Sequence, residues 1–309
     1  MFRLVQIIVN ATAGAFLAGR KMKYIKERMK KSGCEPVIAL TKYRLHAKEL
    51  AIEAVNRNAD LIISVGGDGT INEIVNGIME SQSFANRLPA LGILSAGTGA
   101  DLCRTLKIPF NFDKAIQVIL DGKLTPIDIG MVKFKNRSRT WYRYFTNVFD
   151  VGLGGNVVRI ANHIPKHLGG FLTFLLSSLA GLLTFKPIPM KIYVDNKLTD
   201  KGNITIIGAT NGKFFGGGMK IAPMASISDG FFEILYVKDT NIFKFIQNVL
   251  LPVYDGKHLL FKNLYHFRAR KLKVAAEKTF LADIDGEEEK AQEVEISIAP
   301  KQIMVTVPD

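Results

Sequence analysis

The chain of 309 residues is poor in cysteine, with only Cys34 and Cys103. Neither cysteine stands in a Cys or His spacing typical of a zinc site or a disulfide framework, so the sequence supports neither. A reducing cytoplasm is the simplest location for such a protein. The five histidines offer no helical metal-ligand pair either. His163 and His167 are four residues apart, but Pro165 between them argues against one helical face carrying both.

The sequence also lacks an uncharged apolar run long enough to cross a bilayer. The nearest candidate, residues 169–185 (GGFLTFLLSSLAGLLTF), has 17 residues, whereas a spanning helix needs about 20. It predicts a buried or membrane-touching helix over about 168–185. The N-terminal run is interrupted by Gln6 and Asn10 and alternates like a strand, which is not typical of a signal peptide.

Acidic residues are fewer than basic ones, 28 against 41, which gives a net charge of +13 and a pI near 9.6. This balance favours an anionic partner: a nucleic acid, a membrane surface or a nucleotide. The basic clusters at 20–31, 133–143 and 257–273 have no RNA-binding or zinc-finger signature beside them, so no nucleic acid is expected. The apolar content of 48% is globular, and the length allows two domains with real cores.

Residues 64–78, SVGGDGTINEIVNGI, form the most informative stretch. An apolar strand is predicted just before its glycines, Gly66, Gly67 and Gly69, which would allow a tight turn, positive φ and close approach to a ligand. Thr70 and Glu73 have the spacing of a capping box that opens a helix. Unpaired N–H groups and the helix dipole would then face one point, which predicts an anion site.

Asp68 lies within this turn. A carboxylate beside bound phosphate is repelled unless a cation lies between them, so the arrangement indicates a Mg²⁺-nucleotide. An ordinary strand-to-helix connection with a solvated aspartate explains the residues equally well. Neither a P-loop lysine motif nor a Rossmann fingerprint is present.

Strand and helix patterns alternate four times in the first part of the chain, with strands near 4–10, 37–41, 61–65 and 90–94. This rhythm predicts a parallel, right-handed α/β sheet. The loop after the fourth strand, SAGTGADL, repeats the glycine design with Gly97 and Gly99 around Thr98. Ligands of such sheets lie beyond the carboxyl ends of the strands, where both glycine loops are expected.

After about Pro126 short β-like runs replace this rhythm, and a β-sandwich-like second domain is predicted, with helical insertions near 168–185 and 242–253. The predicted domains are 1–128 and 129–299, with residues 300–309 packing back on the first. Three acidic turns stand out in the second half of the chain: Asp195-Asn196, Asp229-Gly230 and Asp285-Gly286. A hairpin turn explains each of them without any chemistry.

Four motifs, in this order and over nearly the whole chain, resemble those of the bacterial diacylglycerol kinase-like lipid kinases, the family that includes sphingosine and ceramide kinases. They are GGDGTINE, LPALGILSAGTGADL, FFGGGMKIAPMASISDGFFE and DGE. GGDGT alone is shared with NAD kinases and phosphofructokinases, so the second-domain motifs carry the specific signal. The resemblance implies an α/β domain with a phosphofructokinase- or NAD kinase-like parallel sheet, followed by a β-sandwich domain.

The resemblance further implies ATP- and Mg²⁺-dependent transfer of the γ-phosphoryl group to a lipid hydroxyl, with diacylglycerol, giving phosphatidic acid, as the first expectation. By position, Glu287 is the general base, Asp68 is a catalytic residue that orients the metal, and Asp229 belongs to the metal network. The residues implied to bind the nucleotide are Asn10, Gly66, Gly67, Gly69, Thr70, Glu73, Gly97, Thr98 and Gly99.

Three residues depart from the family pattern: Ala11, Ser95 and Ala100. Ala100 replaces an asparagine, and the missing amide removes a hydrogen bond to nucleotide worth about 0.5 to 1.5 kcal/mol. Two alternatives therefore stay open. One is a soluble metabolite kinase of the NAD kinase type, and the other is a non-catalytic lipid- or nucleotide-binding regulator.

A membrane lipid as substrate requires the enzyme to come to the bilayer surface. Each basic residue near an anionic leaflet contributes about 1 kcal/mol, so the positive charge fits a cytoplasmic protein that binds an anionic membrane peripherally. The apolar segment 168–185 fits the same role. A homodimer stays open, because spacing does not report oligomeric state.

Overall fold

The structure is a computed structural model that describes residues 2–83, 87–97, 99–163, 170–238, 240–299 and 302–309, with the backbone alone for 15–17, 83 and 170–175. The chain divides into two compact units, Met1–Asp128 with Pro300–Asp309, and Ile129–Ala299.

The first unit alternates strands and helices. Its elements are β1 (Leu4–Val9), α1 (Ala13–Lys31), β2 (Glu35–Leu40), α2 (His46–Asn56), β3 (Leu61–Gly66), α3 (Asp68–Glu80), β4 (Ala90–Ser95), α4 (Asp101–Leu106), α5 (Phe112–Asp121), β5 (Lys123–Ile127) and the C-terminal strand β15 (Ile303–Val307).

These strands form a six-stranded sheet in the order β2-β1-β3-β4-β15-β5. Strands β1 to β4 run parallel, as the sequence predicts. Every residue of β3 and β4 is buried, which is typical of parallel strands covered on both faces. Strand β5 was not predicted, because its Pro126 suits only an edge strand, and β5 is the edge of this sheet.

The second unit is mostly β-structure. Its elements are β6 (Gly130–Lys135), β7 (Thr140–Phe145), β8 (Val148–Gly152), α6 (Leu153–Ala161), α7 (Gly170–Thr184), β9 (Ile188–Val194), β10 (Lys197–Thr210), β11 (Phe232–Lys238), α8 (Ile242–Phe245), β12 (Leu264–Ala269), β13 (Lys271–Ile284) and β14 (Glu287–Ile298). Single turns of other helix types continue from α8 to Leu260.

The strands of this unit pair antiparallel in the order β12-β11-β10-β8-β13-β14-β6-β7, with β9 bridging β10 and β13. Phe134, Phe145, Phe149 and Phe232 lie fully buried in the main core. The predicted sandwich-like domain is therefore confirmed. The run 140–149, predicted as one strand, is two, β7 and β8. Strand β12 (LYHFRA) was missed because polar residues interrupt its apolar pattern.

Two of the predicted acidic turns have positive φ at both central residues, as a type I′ hairpin turn requires. The φ angles are 46° and 68° at Asp195 and Asn196, and 50° and 90° at Asp285 and Gly286. In the third turn Gly230 has φ 74°, but Asp229 is not among the residues with positive φ.

The predicted apolar helix 168–185 corresponds to α7, Gly170–Thr184, while 168 and 169 lie outside the described residues. Within the described part of the chain, no helix combines the length and the hydropathy needed to cross a membrane. The helix presents different sides to different surroundings, because Leu182 is buried whereas Leu176, Leu179 and Leu183 are exposed.

Helices α2 and α3 pack closely at Gly77, where a Cβ would overlap the carbonyl oxygen of Lys48 and lie 2.8 Å from the Cβ of Ala51. We expect Gly77→Ala to lower the free energy of unfolding by about 1 to 3 kcal/mol, although alanine is the better helix former. Urea denaturation measures the change. Gly19→Ala in α1 is the matched control, since its Cβ would meet its nearest atom at 3.3 Å. Equal stabilisation by both substitutions would contradict the packing argument.

Candidate active site

Two glycine loops meet at the carboxyl edge of the first sheet. One joins β3 to α3, and the other follows β4 and leads to α4. A Cβ on Gly97 would lie 2.5 Å from the Cα of Gly67, so the two loops touch backbone to backbone. A side chain at Gly97 would force the loops apart, and with them the first turns of the two helices.

The expectation of positive φ in these loops is wrong. Gly67 has φ −96° and ψ −174°, which is extended backbone. The other described glycines of the two loops, Gly66, Gly69, Gly97 and Gly99, are not among those with positive φ. Glycine is required here for close approach, because a Cβ on Gly66 would lie 2.5 Å from Oγ1 of Thr70.

Asp68 is the first residue of α3, and its carboxylate reaches the start of α4. Its Oδ2 accepts a hydrogen bond from the backbone N–H of Asp101 at 3.4 Å. A Cβ on Gly99 would lie 2.7 Å from this same oxygen. Two carboxylates, those of Asp68 and Asp101, thus lie close to one another in front of the N-terminus of α3.

Arg104 supplies positive charge beside these carboxylates. Its guanidinium lies 3.5 Å from Oδ1 of Asp101 and donates to the carbonyl oxygen of Gly99. Cys103 is buried behind the site, and burial with the nearby Asp68 raises the pKa of its thiol to about 12, so this thiol is not a nucleophile at neutral pH.

The capping-box prediction is wrong. Helix α3 begins at Asp68, two residues before Thr70, and its N-cap Gly67 receives no side-chain hydrogen bond. Glu73 therefore lies too deep in the helix to reach the N-cap. Its carboxylate instead accepts the N–H groups of Leu45 at 2.9 Å and Ala47 at 3.1 Å, at the start of α2. This role is structural, and nucleotide binding by Glu73 stays a prediction that the geometry does not favour.

Asn10 joins the first strand to the same site. Its Nδ2 donates to Oγ1 of Thr70 at 3.3 Å, and its Oδ1 accepts the N–H and the hydroxyl of Thr12. The structure therefore brings Asn10 and Thr70 together beside the glycine loops. Thr98, which was also assigned to the nucleotide, lies outside the described residues.

Ala100 occupies the left-handed region, with φ 52° and ψ 38°, immediately before α4. Asparagine, which the family resemblance leads us to expect here, visits this region more readily than alanine does. The departure at Ala100 therefore has a conformational cost in addition to the lost amide.

In the second unit, the ends of several strands meet at one edge. The end of β10 lies beside the starts of β8 and β11, where Thr210 pairs with Val148 and with Glu233. The end of β13 lies beside the starts of β8 and β14, where Ile284 pairs with Phe149 and with Glu287. The glycine-rich segment 211–231 is attached here, because Asn211 Nδ2 donates to the carbonyl oxygen of Thr146 at 2.8 Å. The second-domain motifs therefore converge in space.

Asp285 anchors the hairpin turn between β13 and β14. Its Oδ2 accepts the N–H of Thr146 at 2.7 Å, and its Oδ1 accepts those of Asn147 at 3.0 Å and Val148 at 2.9 Å. This carboxylate is committed to the backbone. Glu287, the half-buried first residue of β14, is the other acid of the turn and the residue assigned as the base.

Asp229 is engaged by neighbours of its own unit. Its Oδ2 forms an ion pair with Arg268 at 2.7 Å, and its Oδ1 accepts the N–H of Phe231 at 3.1 Å. No group of three His, Cys, Asp or Glu among the described residues could hold a metal ion. The assignment of Asp229 to a metal stays a prediction, and Arg268 already balances its charge.

Sequence reasoning missed a buried acid pair next to this turn. Asp150 in β8 and Asp283 in β13 lie directly opposite one another, and both are buried. Desolvation raises the pKa of Asp150 to about 7, and desolvation with the nearby Asp150 raises that of Asp283 well above its usual range. The available signal was a lone acid inside each apolar strand, VFDVG and LADI.

Asp150 also lines an apolar cavity of about 80 Å³ within the second unit. The lining is aliphatic and aromatic over most of its area, and it includes Leu153, Val157, Leu182, Ile206, Leu235 and Val249. Helices α6 and α7 and the segment after α8 form much of the wall. The second unit therefore combines an acidic strand edge with an apolar interior space.

The sequence matches two family models. Residues 5–132 match the diacylglycerol kinase catalytic domain, and residues 147–307 match the YegS C-terminal NAD kinase beta sandwich-like domain. Among similar proteins, the diacylglycerol kinase of Bacillus subtilis (strain 168) is 32% identical over 286 residues, covering 91% of this chain and 89% of its own. A diacylglycerol kinase of Staphylococcus saprophyticus is 28% identical over 291 residues, covering 93% and 90%.

Solved structures give the same fold. A diacylglycerol kinase from Bacillus anthracis str. Sterne superposes with a TM-score of 0.74 at 22% identity, covering 99% of this chain and 97% of its own. The yeast NADH kinase complexed with NADH superposes with a TM-score of 0.57 at 11% identity, covering 100% and 84%. At these identities the likeness establishes the architecture.

The catalytic-domain match falls on the first unit, and the beta sandwich-like match covers most of the second. The Bacillus subtilis relative spans both at 32% identity. The chain therefore belongs to the diacylglycerol kinase family, and it is a kinase.

Proposed function

We propose that this kinase transfers the γ-phosphoryl group of ATP to the hydroxyl of diacylglycerol, giving phosphatidic acid. The observation that carries the lipid assignment is the apolar cavity of the second unit, which reaches Asp150 beside the turn of Glu287. An apolar lining suits an acyl or alkyl chain and not a charged, soluble acceptor such as NAD. The names of the bacterial relatives point to the same lipid.

The carboxyl edge of the first sheet fits a Mg²⁺-nucleotide. The space between the loops is set by glycine, since a Cβ on Gly99 would fill the place next to the Asp68 carboxylate. Carboxylate oxygens are ligands that Mg²⁺ prefers, so Asp68 and Asp101 are the residues that would hold it. The metal would neutralise phosphate charge, and the N-terminus of α3 would face the phosphates with the positive end of its dipole.

Glu287 is proposed to take the proton from the lipid hydroxyl as that oxygen attacks the γ-phosphorus. Phosphoryl transfer asks the protein for positioning, charge neutralisation and a base. Asp285 supplies positioning, because its three backbone hydrogen bonds fix the turn from which Glu287 projects.

Exposed apolar side chains on the helical layer of the second unit support membrane contact. Leu182, Phe245 and Val249 pack in one cluster, so α7 and the α8 segment form one layer. On the same elements Leu183 is 76% exposed and Phe243 is 83% exposed. We infer that this layer, with lysines such as Lys244, binds an anionic membrane peripherally on its cytoplasmic side.

Glu287→Gln removes the proposed base while keeping the size of the side chain. We expect turnover on diacylglycerol to fall by about 10² to 10⁴, measured by transfer of labelled phosphate from ATP. Glu293→Gln on the same strand is the matched control and should keep turnover within about twofold, because that residue pairs with lysines away from the turn. Unchanged turnover in Glu287→Gln would remove Glu287 from the reaction.

Ala100→Asn and Ala100→Gly separate conformation from nucleotide contact. Both residues adopt the left-handed region more readily than alanine does, so each should raise the free energy of unfolding, by about 1 kcal/mol. Only asparagine restores the amide, and we expect it alone to lower the KM for ATP, by about tenfold at most. Denaturant melts and ATP titrations measure the two effects. An equal KM for ATP in both variants would show that the amide makes no nucleotide contact.

Replacing Leu183 and Phe243 together by glutamine should weaken binding to vesicles that contain phosphatidylglycerol by more than tenfold, because each buried apolar side chain contributes about 1.5 to 3 kcal/mol. Flotation measures binding, and activity on dispersed short-chain diacylglycerol should persist. Leu124→Gln in the first unit, where the leucine is 40% exposed, is the control. Equal loss in the control, or no loss in the double variant, would refute this docking surface.

A further inference from the structure

The two carboxyls of the buried acid pair, Asp150 and Asp283, differ in their hydrogen bonds. Asp283 Oδ1 accepts the N–H of Gly286 at 2.7 Å and so supports the turn. The two carboxyl oxygens of Asp150 are buried and have no hydrogen-bond partner among the residues that the structure describes. The amide of Gly155 lowers the pKa of Asp150 somewhat, but it does not reach hydrogen-bond geometry.

Asp150 is 2% exposed and lines the apolar cavity. The start of α6 lies directly against its carboxyl, where a Cβ on Gly154 would overlap the oxygens. A buried polar group without a partner is rare in native proteins, because its desolvation is uncompensated. At the wall of a cavity, such a group is the natural contact for a polar atom of a ligand.

A second buried polar group, the imidazole of His258, lines the same cavity. His258 is fully buried, and its Nε2 lies 3.0 Å from the carbonyl oxygen of Ile221, which can only accept, so Nε2 carries a proton. Burial lowers the pKa of this imidazole and keeps it neutral. Its Nδ1 is then an acceptor, and within the described part of the chain this buried atom has no hydrogen-bond partner.

The position of Asp150 shows which end of the cavity lies near the hairpin turn of Glu287. Asp150 lies opposite Asp283, and its neighbour Phe149 lies opposite Ile284, which pairs with Glu287. The end of the cavity at Asp150 is therefore the end near the proposed base, while Phe245 and Leu264 line the cavity from the helical layer and β12. A lipid with its oxygen-bearing head toward Asp150 would present a hydroxyl on the side of Glu287.

We propose that Asp150 is a specificity-determining residue, whose carboxyl hydrogen-bonds an ester carbonyl of the acceptor lipid at this end of the cavity. The inference rests on the proposed lipid kinase function. Burial raises the pKa of Asp150 to about 7, so its protonated form, which can donate to an ester carbonyl, is populated at neutral pH. The reduced negative charge of the pair also favours a neutral headgroup over an ammonium.

The test compares Asp150→Asn, which keeps both a donor and an acceptor, with Asp150→Ala, which keeps neither. Dioctanoylglycerol is the probe, and its binding without nucleotide is measured by calorimetry beside KM and kcat. We expect Asp150→Ala to weaken binding and raise the KM for this lipid at least tenfold, with the KM for ATP unchanged within twofold. Asp150→Asn should stay within about threefold of the wild type.

Asp195→Asn is the matched control, since Asp195 is an aspartate of the same unit that is not among the residues lining the cavity and accepts the N–H groups of Arg270 and Lys271 in a hairpin turn. It should leave binding of dioctanoylglycerol unchanged. Asp150→Leu replaces Asp150→Ala if the smaller variant fails to fold, and the same loss is expected. Hexadecanol, which has no ester carbonyl, should lose less affinity than dioctanoylglycerol in either variant.

Unchanged dioctanoylglycerol binding in Asp150→Ala or Asp150→Leu would overturn the inference while leaving the lipid kinase function intact. Tighter, Asp150-dependent binding of sphingosine would also overturn it, because the carboxylate would then recognise a cation. A wild-type protein that binds dioctanoylglycerol through Asp150 but transfers no phosphate to it would refute the proposed function and support the lipid contact.

Discussion

The backbone contact between Gly67 and Gly97 sets the geometry of the first unit's site. Gly97 has to lack a side chain, because its Cβ would lie 2.5 Å from the Cα of Gly67, and a Cβ on Gly67 would lie only 3.3 Å from the Cα of Gly97. This contact brings the first turn of α3 to the first turn of α4, and Asp68 then reaches the N–H of Asp101. The glycines therefore act by allowing the two loops to touch, and this contact positions Asp68 next to Asp101.

Carboxylates that satisfy backbone amides recur through the structure. Glu73 closes the start of α2, Asp285 holds the segment that leads into β8, and Asp60 accepts the N–H groups of Arg3 and Leu4. Unpaired amides at the ends of helices and strands are costly when they are not solvated. Several acids of a basic protein are therefore used for architecture, and an acid in a motif is not by itself a catalytic group.

The sequence was sufficient where local pattern and tertiary structure agree. The strand-helix rhythm predicted β1 to β4, and the Asp285-Gly286 dipeptide predicted its I′ turn, because both depend on neighbouring residues. It failed where the partner is distant in sequence. Glu73 has the spacing of a capping box but binds amides 26 and 28 residues earlier in the chain. Asp150 and Asp283 are 133 positions apart, and only the pairing of β8 with β13 reveals them as a pair.

The negative charges of the acids around the Asp285-Gly286 turn are offset by different groups, and these differences help to distinguish the acids from one another. Three backbone amides balance the charge of Asp285, and a retained proton lowers the charge of the pair of Asp150 and Asp283. Like charges packed at one strand edge repel, so each balance lowers the cost of keeping Glu287 there as an anion. A kinase needs little negative charge around its active-site acids, because its nucleotide brings further negative charge to the reaction. The proton that the buried pair retains thus reduces the negative charge next to the proposed base.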